Sequence, residues 1–341
     1  MIKGLRTLLL ATPALVWAGA VQADSVSDFY KDKTVTVVVP AGLGGSIGLY
    51  GLIFSHHVGK HIPGTPKVIV AAHPGASGVK AASYVYNAAP RDGTIIAQLL
   101  SNSLLAPLLR NAKFDPRKFQ WLGSIEPRSS VIGVWHTAPA LTLEDMKKTE
   151  TVLASGGRSA STTIVPLMMN KMIGTKFKIV TGYKGGGTLN KAVETGETHG
   201  RYLFYSGWVT RKPQWLKQGL VKIVVQIGPR IEDLPNVPSL TDLVKDPVHR
   251  QMLDFTMLSE RVGLGFWTQA QVQKDRFLAL KTAFEDTMKD PAFLAEAKSR
   301  NAGVNPVSGP ELAEIVNKGY QIPPDVLEKM KVMVGLSGKN K

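Results

Sequence analysis

Short runs rich in β-branched residues alternate along this chain with longer stretches whose apolar positions recur at helical spacing. Thr34 to Val39 reads Thr-Val-Thr-Val-Val-Val, and such side chains pack best on a pleated surface. The same reading predicts strands at Lys67 to Ala71, Thr94 to Leu99, Val131 to Trp135, Thr151 to Ala154, Lys178 to Val180, Arg201 to Phe204, Val221 to Ile227 and Val262 to Phe266. Helical spacing is clearest where Phe277, Leu280, Phe284 and Met288 fall at steps of three, four and four. Pro291 starts the segment after that helix, and Pro310 opens another helix. Alternation of this kind predicts α/β layering with largely parallel sheets.

Four of the predicted strands run directly into loops of small residues. Thr34 to Pro40 opens into Ala41-Gly42-Leu43-Gly44-Gly45-Ser46, and Lys67 to Ala72 into His73-Pro74-Gly75-Ala76-Ser77-Gly78. Further on, Ser155-Gly156-Gly157-Arg158-Ser159 follows Thr151 to Ala154, and Tyr183-Lys184-Gly185-Gly186-Gly187 follows Lys178 to Val180. Glycines at a strand-to-helix turn let several backbone N–H groups converge, and the following helix adds partial positive charge. Repeated at four strand ends, that arrangement predicts one shared cleft for an anion.

Composition narrows the setting. Lys3 and Arg6 precede an apolar run from Leu8 to Trp17, and Val21-Gln22-Ala23 supplies small residues for cleavage after Ala23. Residues 1–23 therefore read as an export signal, and the apolar run is too short to span a bilayer. Cysteine is absent, so neither disulfides nor an N-terminal lipid anchor is expected, which suits a soluble periplasmic protein. The roughly 318 residues after the leader exceed what one core usually organises, so two lobes are expected, with chain crossings near Ser124 to Val131 and Val225 to Pro235. Loss of Lys3 and Arg6 lowers the formal charge from +15 to +13. The lysines are dispersed and aromatics are only 7%, so a solvated basic surface is expected and no nucleic-acid partner.

Candidate chemistry is sparse. Gly44-Gly45-Ser46-Ile47-Gly48 matches the nucleophile elbow of secreted hydrolases. That fold builds several strands before its elbow, whereas this motif follows the first strand, so a hydrolase using Ser46 is the lesser reading. His57 and His61 stand at i, i+4 with His56 beside them, but no acid neighbours them in sequence; they read as the cationic end of a helix that Pro63-Gly64 stops. Lys184 to Lys191 lacks the spacing of a phosphate-binding P-loop. Tyr202, Phe204, Tyr205 and Trp208 form an aromatic cluster whose default role is core packing, with Tyr205 and Trp208 as alternative walls of a ligand cleft. No carboxylate pair stands out as an acid/base couple, so no enzymatic activity, cofactor or metal is expected.

Taken in order, these segments resemble the receptors of tripartite tricarboxylate transporters, often called Bug proteins. The resemblance runs through Phe29-Tyr30-Lys31-Asp32-Lys33, Gly44-Gly45-Ser46, Pro74-Gly75-Ala76-Ser77-Gly78, Ala89-Pro90-Arg91-Asp92-Gly93-Thr94, Tyr183-Lys184-Gly185-Gly186-Gly187 and Asp290-Pro291-Ala292-Phe293-Leu294. It implies a two-lobed type II periplasmic binding protein, a Venus flytrap that closes on a small organic carboxylate and delivers it, as a monomer, to a membrane permease. A ligand sensor coupled to a membrane signalling partner is the alternative. Lobe one would comprise residues 24–125 and 228–341, and lobe two residues 126–227. By the same resemblance, lobe one would hold the ligand with Gly44, Gly45, Ser46, Ser77 and Ser101, and lobe two with Ser155, Gly157, Ser161, Tyr183, Gly185 and Gly186.

The chain departs from the family pattern at Leu43, where proline is usual, at Gly48, where aspartate is frequent, and at Trp267-Thr268-Gln269, where Pro-Pro-Gly is usual. Loss of the aspartate favours an acid without an amino group. Four to six hydrogen bonds at about 1.5 to 3 kcal/mol each would supply the roughly 8 kcal/mol of micromolar binding after association costs, so no buried arginine is required.

Overall fold

The computed structural model describes residues 26–158 and 160–337; the expected leader and Ser159 lie outside them. The first sheet takes β1 (Thr34–Val39), β2 (Lys67–Ala72), β3 (Ile95–Gln98) and β4 (Gln120–Ser124) from the early part of the chain. A second sheet follows, from β5 (Ser130–Trp135), β6 (Thr151–Ser155), β7 (Phe177–Thr181), β8 (Gly200–Phe204) and β9 (Val221–Ile227). The chain then returns to the first sheet with β10 (Gly265–Thr268) and β11 (Val307–Ser308). The orders are β11-β4-β10-β3-β1-β2 and β7-β6-β8-β5-β9.

Parallel pairing holds within β2-β1-β3 and β7-β6-β8. The strands that follow a crossing enter from the other sheet and run antiparallel: β5 against β8 and β9, and β10 against β3 and β4. The predicted strand at Val262 to Phe266 is displaced to Gly265–Thr268, because Val262 closes the helix Leu258–Val262. β4 was not anticipated; Gln-Trp-Leu-Gly-Ser has little strand propensity, and pairing on both sides imposes its conformation.

β1 is buried on both faces, as expected of a central strand. Val35, Val37 and Val39 join Ile53, Phe54, Phe266, Leu280 and Phe284 on one side, while Val38 joins Ala97, Trp267, Leu312 and Val316 on the other. Trp267, at a point of departure from the family pattern, stacks on Phe119 with ring centroids 3.6 Å apart. The apolar stripe of the helix Lys274–Thr287 lies in the first of these cores. In the second sheet Ile132, Val134, Leu153 and Tyr202 face one core, and Val131 and Leu203 face another with Trp208 and Trp215.

The two sheets are joined by paired crossings. Residues 125–128 lie against 260–264: Ile125 N donates to Leu264 O (3.1 Å), Leu264 N to Glu126 O (3.0 Å) and Arg128 N to Glu260 O (2.8 Å). Gly263, at φ +54°, permits the approach, since a Cβ there would stand 2.0 Å from Glu126 O. Before this return the chain stays with the second sheet, whose core contains Leu240, Val244, Leu253 and Met257, so the second crossing comes at 260–264 and not, as expected, near Val225 to Pro235, because these apolar side chains are buried against that sheet. The C-terminal helix Pro324–Met333 and the helix Ser161–Met172 share a core through Val326, Met330, Ile164 and Met168, so apolar packing also links the lobes.

Candidate functional site

All four small-residue loops leave the carboxyl ends of their strands and lead into helices, and these helices start without a capping side chain. Gly45 precedes Ser46–Val58, Gly78 precedes Val79–Asn87, Ala160 precedes Ser161–Met172 and Gly185 precedes Gly186–Glu194. Thr142, Asp246, Asp290 and Ser308 each cap a helix with a side-chain oxygen, while the helices Lys274–Thr287 and Pro324–Met333, which follow no glycine loop, also start without a side-chain cap. The first N–H groups of an uncapped helix have no partner within the helix, so each of these loops presents donors together with the positive end of a dipole.

The first loop folds over its own helix. A Cβ on Gly48 would lie 2.4 Å from Leu43 Cα and 2.7 Å from Gly42 O, so the glycine in place of the family's aspartate lets the backbone of Gly42 and Leu43 rest on the first turn. In the second loop Gly75, Ala76, Ser77 and Gly78 have φ of +143°, +46°, +53° and +89°. Two consecutive non-glycine residues in the left-handed region are strained, and Arg110 helps hold them by donating to Ala76 O (3.0 Å).

Among the expected ligand residues, Gly44 is exposed, and Gly45, Ser46 and Ser77 are partly exposed on the loop surfaces. Ser101 and Ser161 are buried with hydroxyls that have no hydrogen-bond partner among the described residues. The Ser155 hydroxyl is already shared at 2.6 Å by Thr162 and Thr163, which ties β6 to the helix it precedes. Gly157 lies in the same turn, its carbonyl accepting from Thr163 Oγ1 (2.8 Å). Tyr183 N donates to Ser155 O (3.4 Å), bringing the third and fourth loops together. The Tyr183 hydroxyl donates to Glu197 (2.7 Å), and burial followed by that carboxylate pushes its pKa up to about 12. Gly185 and Gly186 are exposed at the lip.

Trp208 corrects the alternative of a cleft wall. It is fully buried beside Gly133, where a Cβ would sit 2.3 Å from its ring, and its indole N–H donates to Asn190 (3.0 Å). Tyr205, half-buried, packs on the edge of the same cluster.

Two residues outside the expected set, Arg128 and Arg211, converge on the first loop. Arg128, 3% exposed, comes from the first crossing; its Nε and Nη2 donate to Ser206 Oγ (3.0 and 2.8 Å), and Nη2 also to Ser46 Oγ (3.4 Å). Its guanidinium lies 4.3 Å from the centre of the Phe204 ring. Burial lowers its pKa, opposed by the nearby Glu126 and Glu260 carboxyls. Arg211, at the end of the helix Ser206–Arg211, donates to Gly45 O (2.9 Å). Ser206 and Gly207 follow β8 as a fifth small-residue turn, a signal present in the sequence but shorter than the other four. Behind the fourth loop, Arg201 is also buried; its Nη1 donates to Gly186 O (3.0 Å) and Asn190 Oδ1 (2.9 Å), and burial lowers its pKa to about 10. The expectation that no buried arginine is needed thus meets two buried guanidiniums against the predicted loops.

Among the described residues the side chain that hydrogen-bonds the Ser46 hydroxyl is Arg128, a guanidinium that has donors only and cannot serve as a base. The histidines do acquire acids in space. Glu296 pairs with His56 (3.1 Å) and His57 (2.9 Å), and Asp290 pairs with His61 (3.0 Å) and Lys60. Among the described residues no such group is arranged to hold a metal. Two open hollows of about 630 and 720 Å³, one beside Lys31 and Gly64 and one beside Leu52, His56 and Ile69, lie around the outer edge of lobe one.

A family model described as the tripartite tricarboxylate transporter family receptor matches residues 60–317. No curated protein sequence matches. Similar solved structures include a periplasmic transporter, 20% identical with a TM-score of 0.70, covering 89% of this chain and 99% of its own. The periplasmic binding protein BugD is 20% identical with a TM-score of 0.68, covering 90% and 99%. MatC from Rhodopseudomonas palustris with bound malate is 16% identical with a TM-score of 0.66, covering 88% and 98%. At these identities the likeness shows the two-lobed periplasmic binding protein fold.

Proposed function

This chain belongs to the tripartite tricarboxylate transporter family of receptors, and on that footing we propose that it is a periplasmic receptor, exported by residues 1–23, that binds a small organic carboxylate between its lobes and hands it to a membrane permease. The observation that carries this reading is the set of four uncapped helix starts at strand ends of both sheets, at Gly45, Gly78, Ala160 and Gly185.

A carboxylate leaving water must regain its lost hydration from fixed donors. Backbone N–H groups at helix starts supply them without titrating and at fixed geometry. Gly44, Gly45, Ser46, Ser77 and Ser101 would serve from lobe one, and Gly157, Ser161, Gly185 and Gly186 from lobe two. Donors on both sides of a hinge make the ligand favour the closed arrangement differentially, which a permease can sense as occupancy. The paired crossings at 125–128 and 260–264 are the proposed hinge. Malate in MatC, a protein of the same fold, agrees with the proposed ligand class.

A thermal-shift screen of the purified protein against organic acids tests the reading. Stabilisation by at least one carboxylate, absent with the corresponding amide or alcohol, is expected. No shift with any acid, or equal shifts with neutral analogues, would overturn it.

A further inference from the structure

We infer that Arg128 and Arg211 form a guanidinium clamp at the floor and mouth of the interlobe cleft, and that the ligand is accordingly a dicarboxylate with one carboxylate on each. This rests on the carboxylate-receptor reading above and names its ligand class and two of its binding residues.

Arg128 is positioned by three groups, the Ser206 and Ser46 hydroxyls and the Phe204 ring, while its Nη1 is buried without a partner. Among the described residues no carboxylate lies within 4.0 Å of it. The two nearby acids are engaged elsewhere: Glu126 accepts from Tyr50 (2.8 Å), and Glu260 accepts from Ser130 (2.8 Å), Ser259 (2.6 Å) and Tyr202. A buried guanidinium N–H without an acceptor is costly, and a carboxylate is its natural complement because the planar fork offers paired donors. Rotation about the crossings would part Ser46 from Ser206 and admit a ligand to that nitrogen.

Arg211 reaches the same loop one residue earlier, at Gly45 O, and it too has no carboxylate within 4.0 Å. Two cations therefore touch adjacent residues at the positive start of a 13-residue helix that has no cap. Arg300 adds a third charge; burial and its repulsion lower the Arg211 pKa. With Glu126 and Glu260 engaged by other donors, two negative groups on a ligand would pair with the two guanidiniums, and a monocarboxylate with only one of them.

Titration calorimetry with matched acid pairs tests the clamp: succinate and butyrate, adipate and hexanoate, terephthalate and benzoate. In the pair that binds, the diacid is expected to be tighter by about ten- to a hundredfold, the range of one charged hydrogen-bonded contact. Arg211→Gln, an exposed change, should bring the diacid down to the affinity of its monoacid and leave the monoacid unchanged. Arg128→Lys, which keeps charge but loses the fork, should weaken both. Equal affinity for diacid and monoacid, or a preference that survives Arg211→Gln, would overturn the clamp while any acid binding sustains the receptor reading. Binding of no acid would overturn both.

Discussion

Ser130 and Glu260, 130 positions apart, are joined by a 2.8 Å hydrogen bond where the two crossing segments lie side by side. Ser130 opens β5 just after the first crossing, and Glu260 lies on the return, so the bond pins the proposed hinge from both strands. Tyr202 and Ser259 donate to the same carboxylate, which satisfies a buried acid without a neutralising salt bridge.

Burial raises the Glu260 pKa above its ordinary 4.5, opposed by those hydrogen bonds. An acid with a raised folded pKa contributes its stabilisation below the unfolded pKa and loses it as pH rises through the folded one. Glu260→Gln should therefore gain on the parent protein as pH climbs from about 4.5 toward neutrality. Urea midpoints of both proteins across pH 4 to 8 check the sign; a difference independent of pH would refute it.

Asp290 behaves in the opposite sense. Hydrogen bonds from Lys60 and His61 and the N–H of Ala292 hold its pKa well below the usual 3.8, against a smaller opposing effect of burial. Its stabilisation is present above the unfolded pKa and fades as pH falls through the folded one. Asp290→Asn should lower Tm at pH 7 and converge with the parent in strong acid. Asp290→Ala also removes the cap on the helix Pro291–Ser299, adding about 0.5 to 2 kcal/mol, measurable by urea unfolding.

Two glycines three residues apart should respond differently. A Cβ on Gly45 meets nothing nearer than Gly42 O at 3.8 Å, and its φ of −89° suits any residue. Gly45→Val is expected to fold normally and lose ligand, because the branched side chain blocks approach to the helix start. Gly48→Ala must displace the Leu43 backbone and should cost about 1 to 3 kcal/mol as overpacking, besides weakening binding. Parallel unfolding and calorimetry separate the two; full affinity in Gly45→Val would remove that loop from the site.

Trp208→Ala should cost about 3 to 5 kcal/mol, the range for emptying a buried aromatic site. Trp208→Phe should cost less and leave Asn190 serving Arg201 alone. If instead ligand affinity fell while stability held, the ring would belong to the cleft.

The order of strands and helices, the glycine loops at strand ends, and the helix starts at Pro291 and Pro310 were legible in the sequence because each depends on residues close along the chain. β-Branched runs, helical spacing and proline act locally, and the resemblance to a receptor family was carried by such segments. The tertiary structure decided what depends on contacts between distant residues. β4 became a strand by pairing on both sides, the histidines met Asp290 and Glu296 across more than 200 positions, and Trp208 entered a core rather than the cleft. Arg128 and Arg211 show the same limit most plainly: arginine has no local signature that separates a solvated side chain from a buried one, and only the folding of one lobe against the other brings both guanidiniums to Gly45 and Ser46.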